Sequence, residues 1–139
     1  MQHPVFRISS NTAQTQFHVG LLRTTVGCRQ AKMFLQGPNK QLARFVMGLS
    51  RNHLRIITGL LTGHVALNRH LTIMKIRTDP LCPKCGEEEE TAYHFLGRCS
   101  AMMMARYSIF GSYVMDITEL QQVQTNTLLR FAKASKRFI

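Results

Sequence analysis

A mainly α-helical fold, a small helical array carrying a zinc-knuckle insert, is predicted by three observations. Apolar residues recur at helical spacing in successive stretches, Gly, Pro and Ser punctuate the links between them, and three cysteines and a histidine crowd into positions 82 to 99. With 139 residues, 45% of them hydrophobic, the chain is expected to form one domain, or one domain plus a flexible end.

Taken in order, residues 1–36 are read as irregular. Up to Gln16 they are polar, with Pro4 and no sustained period, and from Phe17 onward short apolar groups around Gly27 do not decide between strand and helix. Gly37-Pro38 then breaks the chain and opens a basic helical region, residues 37–78. In its first helix Leu42, Phe45, Val46 and Leu49 fall at i, i+3, i+4 and i+7, with Lys40 and Arg44 opposite. Ser50 caps a second helix through Leu54, Ile57 and Leu61 that ends at Thr62-Gly63. A third points Leu67, Leu71 and Met74 inward and Arg69 and Lys75 outward. Short-linked helices of this kind occur in helix-turn-helix units, but more often are plain packing pairs. Residues 79–111 hold the Cys/His segment, followed by a helix capped by Ser100 and closed by Gly111. Residues 112–139 end in a basic helix with Leu128, Phe131 and Ala132 on one face and Arg130, Lys133 and Arg137 in a stripe beside it.

The charge is unevenly distributed. Lysine and arginine number 18 against 7 acids, and the first acid in the chain is Asp79. All of the net charge of +11 therefore belongs to residues 1 to 78. A half-chain of one sign repels itself unless it faces a polyanion, so nucleic acid is the expected partner, bound through its backbone with weak sequence specificity. The expected contacts are Arg29, Lys32, Lys40, Arg44, Arg51, Arg55, Arg69, Lys75 and Arg77, joined by Arg130, Lys133 and Arg137. The plainer reading is a solvated basic surface. Five of the seven acids lie between Asp79 and Glu90, four of them consecutive. Adjacent Glu side chains diverge and cannot encircle a metal pair, so phosphoryl-transfer catalysis by this chain alone is not expected. The run is read as keeping its loop soluble. No apolar window reaches the length of a membrane span and no secretory signal opens the chain, so an intracellular protein without membrane contact is expected.

Cys82-Pro-Lys-Cys85-Gly, then His94 and Cys99, form a C-x2-C-x8-H-x4-C pattern. The two-residue gap turns both thiolates toward one point, with Pro83 and Gly86 supplying the turn. Thr91 caps a helical turn bearing His94. A residue five positions further lies off that face, so the helix is expected to end near Gly97 and let Cys99 fold in. Three thiolates and one imidazole fill a tetrahedral shell around Zn²⁺ and leave no open position, which is the mark of a structural site. The plain alternative is reduced thiols beside a core histidine. Cys28, His64 and His70 are not needed for the shell, and the eight methionines are read as core filler.

The run Leu60-Leu-Thr-Gly-His64, Leu67-Asn-Arg-His-Leu71 and Asp79-Pro-Leu-Cys82-Pro-Lys-Cys85-Gly-Glu-Glu-Glu-Glu-Thr91, with His94 and Cys99, resembles the zinc-binding C-terminal segment of non-LTR retrotransposon reverse-transcriptase polyproteins. The stretch Cys28-Arg-Gln-Ala-Lys-Met-Phe-Leu35 is similar to the tail of the ribonuclease H domain that precedes that segment. The resemblance implies a parent that copies RNA into DNA, a zinc site at Cys82, Cys85, His94 and Cys99, and nucleic-acid binding; another part of the polyprotein is the kind of acidic partner a protein-interaction scaffold would take. Polymerase motifs and the ribonuclease H acids are absent, so the parent's activity does not carry over. The expectation is a non-catalytic, zinc-stabilised nucleic-acid-binding module. Its rivals are a zinc-stabilised protein-interaction scaffold and an inert fragment of a decayed element.

Overall fold

Residues 29–138 are described by a computed structural model of the chain. Helices dominate, and among the described residues the single trace of β pairing is an isolated bridge between Leu81 and Glu89. The mainly helical reading therefore holds. The order is α1 (Arg29–Phe34), α2 (Lys40–Met47), α3 (Arg51–Thr62), α4 (Asn68–Ile73), a π-helical turn (His94–Arg98), a 3-10 turn (Ser100–Met102), α5 (Met103–Phe110), α6 (Ile117–Gln122) and α7 (Thr125–Ala134).

Local chemistry sets most of the boundaries. Asn39 caps α2 by accepting from the amides of Gln41 and Leu42. Ser50 caps α3 through His53, and Gly63 closes that helix at φ 83°, a left-handed conformation that costs glycine nothing. Asp116 and Glu119 bond each other's backbone amides in a capping box that starts α6. The core runs continuously through these elements. Helix α1 packs on α3 and α6, α3 on α7, and α7 on α5, and Ile57, Leu60, Leu96, Leu120 and Phe131 are sealed from solvent between them. Fully burying such a side chain contributes about 1.5 to 3 kcal/mol.

Four expectations need correction. The segment 1–36 is not irregular to its end, because Arg29–Phe34 is helical and buries Ala31 and Phe34; residues 1–28, including Cys28, lie outside the described residues. Met74 does not point inward but is 55% exposed. Helix α4 stops one residue earlier in a Schellman closure, where Lys75 adopts φ 60° and the Ile76 and Lys75 amides return to Leu71 and Thr72. Ser100 does not cap α5; its hydroxyl donates to Glu87, and the chain enters α5 through the 3-10 turn. Residues 112–139 contain two helices, α6 and α7, where one was expected.

Candidate metal centre

Between Met74 and Thr91 only Cys82 and Glu90 are buried, so no apolar cluster organises this stretch. Backbone turns do part of the work. The Gly86 amide donates to the Cys82 carbonyl at 2.8 Å with Gly86 at φ 69°, and the Glu87 amide donates toward the Cys85 sulfur at 3.5 Å. The Cys82 amide returns to the Glu88 carbonyl, and Glu90 to Pro80. Both cysteines of the first pair thereby face inward, as the C-x2-C spacing predicts.

The second pair is delivered by the π-helical turn. Thr91 Oγ1 accepts from the His94 amide at 3.0 Å, as the expected cap. The turn then widens, and the Cys99 amide donates to the His94 carbonyl at 2.8 Å, five residues back. An α-helix would splay residues at that spacing; a π turn brings them onto one side. The expected helix end at Gly97 is thus replaced by continued, wider winding.

Together Cys82, Cys85, His94 and Cys99 place one ligand atom each within 4.8 Å of all the others. The Cys82 and Cys99 sulfurs are 3.8 Å apart, and Cys85 Sγ is 3.3 Å from His94 Nε2. With Zn–S near 2.3 Å and Zn–N near 2.0 Å, tetrahedral edges are about 3.8 Å for S···S and about 3.5 Å for S···N. These spacings are those of ligands around an ion and far exceed a disulfide bond. On the outer side, His94 Nδ1 is buried without a hydrogen-bond partner, with Glu88 Oε2 at 3.5 Å. That leaves Nε2 to face the sulfurs and a carboxylate behind the ring, an arrangement that orients metal-bound imidazoles. The residues thus fit a divalent ion that prefers sulfur and nitrogen.

Burial pushes the Cys99 thiol up to about 12. Burial also raises Cys85, but the Glu87 and Glu88 amides that donate to it, with the Cys82 and Cys99 thiols, bring it below the ordinary thiol range.

The acidic run behaves otherwise than expected. Its four side chains diverge to four partners: Glu87 to Ser100, Glu88 to Arg98 at 2.7 Å, Glu89 to Arg69 at 3.0 Å, and Glu90 to Arg137 at 2.7 and 2.8 Å. Glu90 also accepts from the Asn68 amide, and the Asn68 side chain donates to the Leu81 carbonyl. Lys84 reaches the Ser135 carbonyl at 2.9 Å. The run therefore ties the knuckle to α4 and to the end of the chain. The Arg98 hydrogen bond holds the Glu88 carboxyl below its usual range, and Arg98 is raised in return.

Of the basic residues assigned to polyanion contact, Arg29, Lys40, Arg44, Arg51, Arg55, Lys75, Arg77, Arg130 and Lys133 are exposed. Lys32 is half-buried and engaged. Arg69 is exposed but paired with Glu89. Arg137 leaves the stripe altogether, because its guanidinium turns inward to the buried Glu90 carboxylate. Phe95 is core, between Phe131 and Phe138, whereas Tyr107 lies on the surface stacked 4.4 Å from Tyr113. His64 and His70 stack on each other and stand apart from the cysteines. Residue-type reading missed Arg106, which is fully buried beside the centre; an arginine in a helix ordinarily faces solvent, and no local pattern distinguishes this one.

A scan of protein-family models, a search of curated proteins and a search of solved structures each return no match. No helix among the described residues is long and apolar enough to cross a membrane.

Proposed function

We propose that the chain is a non-catalytic, zinc-stabilised nucleic-acid-binding module, of the kind the resemblance to retrotransposon reverse-transcriptase segments implies. Zn²⁺ held by Cys82, Cys85, His94 and Cys99 serves as a structural cross-link where the apolar core is thin.

The observation that carries the nucleic-acid reading is the disposition of charge. Every acid in the chain has a partner: Asp79 accepts from the Leu81 amide, Glu87 to Glu90 are engaged as described, and Asp116 and Glu119 hold each other's backbone. Lys40 and Arg44 on α2, and Arg51 and Arg55 on α3, are exposed, and none of them forms an ion pair with a carboxylate among the described residues. Each pair is spaced i, i+4, and α2 packs on α3, so four uncompensated cations share adjoining helices. A polyanion is the partner that removes their mutual repulsion.

The test is a salt-dependent titration with single- and double-stranded oligonucleotides. For about five neutralised phosphates, log K falls with log salt at a slope of about −3.5 on single strands or −4.5 on duplex. Affinity independent of salt between about 50 and 200 mM contradicts the reading.

A further inference from the structure

Arg106 is the largest of the fully buried side chains, at 0% exposure, and no carboxylate lies against it. Its donors all go to backbone carbonyls. Nε donates to Leu96 at 2.8 Å, Nη1 to Tyr113 at 2.7 Å and Cys99 at 3.1 Å, and Nη2 to Cys99 at 3.1 Å and Phe95 at 3.4 Å. Three of those four carbonyls, on Phe95, Leu96 and Cys99, belong to the winding that carries two of the four candidate ligands. The guanidinium thus clamps the end of the turn, its bonds to the Cys99 carbonyl adding to the one that carbonyl accepts from the Met102 amide.

Carbonyl dipoles satisfy the donors but supply no net charge. A buried cation without a counter-ion is destabilising. Three thiolates, one neutral imidazole and a divalent ion together carry one net negative charge. Cys99 brings both one of those thiolates and the carbonyl that Arg106 bonds twice, and the charge is of the sign and size that Arg106 lacks.

We infer that Arg106 is the counter-charge and positioning residue of the metal centre, holding the His94–Cys99 turn while offsetting the anionic Cys3His complex. This rests on the metal reading above. It adds that the bound centre is anionic, with all three cysteines as thiolates, and that its affinity depends on a residue outside the C-x2-C-x8-H-x4-C pattern. Phe131, with its ring 5.9 Å from the guanidinium carbon, closes the other side of the cation.

The experiment is competition of the full chain for Zn²⁺ against a chromophoric chelator, with Co²⁺ absorption reporting the ligand set. Arg106→Gln lowers Zn²⁺ affinity by about 10- to 100-fold, the usual effect of removing a group that supports metal ligands. Arg106→Lys, which keeps the charge and loses the planar fork, melts lower but stays within about threefold of the parent. Cys85→His makes the complex neutral, and in that background Arg106→Gln costs no more than about threefold, a coupling that a purely structural arginine does not produce. Equal losses in both backgrounds, or a Lys variant as weak as the Gln variant, overturn the proposal. If Arg106→Gln does not fold, the Lys variant decides: affinity retained supports the counter-charge role and affinity lost overturns it. A parent chain that takes up neither Zn²⁺ nor Co²⁺ refutes the metal reading itself, and this is seen before any variant is made.

Discussion

The Cys99 amide donates to the His94 carbonyl at 2.8 Å, and this bond across five residues lets two ligands in an H-x4-C spacing share one side of a helical turn. The geometry requires the turn to be wide. Within that turn Gly97 lies close against Met115 and against Leu120 of α6, with no room for a side chain.

Gly97 is where that contact can be tested. A Cβ built on it collides with the Met115 carbonyl and crowds Leu120 and Tyr93, and the Met115 amide already bonds the Gly97 carbonyl at 2.9 Å, so the two backbones cannot separate. Gly97→Ala is expected to cost about 2 to 3 kcal/mol in denaturant unfolding with Zn²⁺ present, as overpacking of a rigid contact does. A midpoint equal to that of the parent contradicts this packing.

Metal affinity is expected to fall in acid. Burial holds the Cys99 thiol up to about 12, so the metal-free protein keeps that proton through neutral pH and an arriving ion must displace it. Apparent affinity therefore rises with pH and drops as pH falls, with proton release accompanying binding. Calorimetric Zn²⁺ titrations in buffers of different ionisation enthalpy measure that release; affinity constant from about pH 6 to 8 would be inconsistent with thiol ligands.

Arg137 separates structural from interfacial cations. Its pairing with Glu90, whose side chain is 1% exposed, raises the guanidinium through their hydrogen bonds. Arg137→Gln leaves a buried carboxylate unpaired and is expected to destabilise the fold by about 3 kcal/mol, with no change in the salt slope of nucleic-acid binding. A reduced slope with stability intact would return Arg137 to the basic stripe.

Arg51 and Arg55 are the converse case. Both are exposed and neither pairs with a carboxylate among the described residues, so Arg51→Glu with Arg55→Glu is expected to change stability by less than about 1 kcal/mol. The same variant weakens oligonucleotide binding by tenfold or more, on the order of the loss of two phosphate contacts plus repulsion. Unchanged binding in a fluorescence anisotropy titration would move the interface elsewhere.

What the sequence made legible follows from how local each determinant is. The ends of helix α3 were readable because Ser50 and Gly63 set them through their own backbone geometry; of its expected apolar residues Ile57 and Leu61 are buried, beside Ile56 and Leu60, whereas Leu54 is not in the core. The clustering of Cys82, Cys85, His94 and Cys99 was readable because C-x2-C fixes a turn. The capping box at Asp116 and Glu119 was equally local and was overlooked, which hid α6. The π turn could not be read, because its surroundings, the Met115 and Leu120 contacts at Gly97 and the Arg106 bonds to its carbonyls, form only in the tertiary fold. The roles of Arg106 and Arg137 depend on carbonyls and a carboxylate brought together only by the tertiary fold.

The most direct test of the metal centre is elemental analysis of the full chain purified without added metal or chelator. One zinc per chain is expected, and none in Cys85→Ser, which should also lose helical circular dichroism from residues 81–110, since zinc-binding energies of roughly 10 to 16 kcal/mol are coupled to folding in small domains. A parent chain with native circular dichroism and no stoichiometric metal would contradict the account.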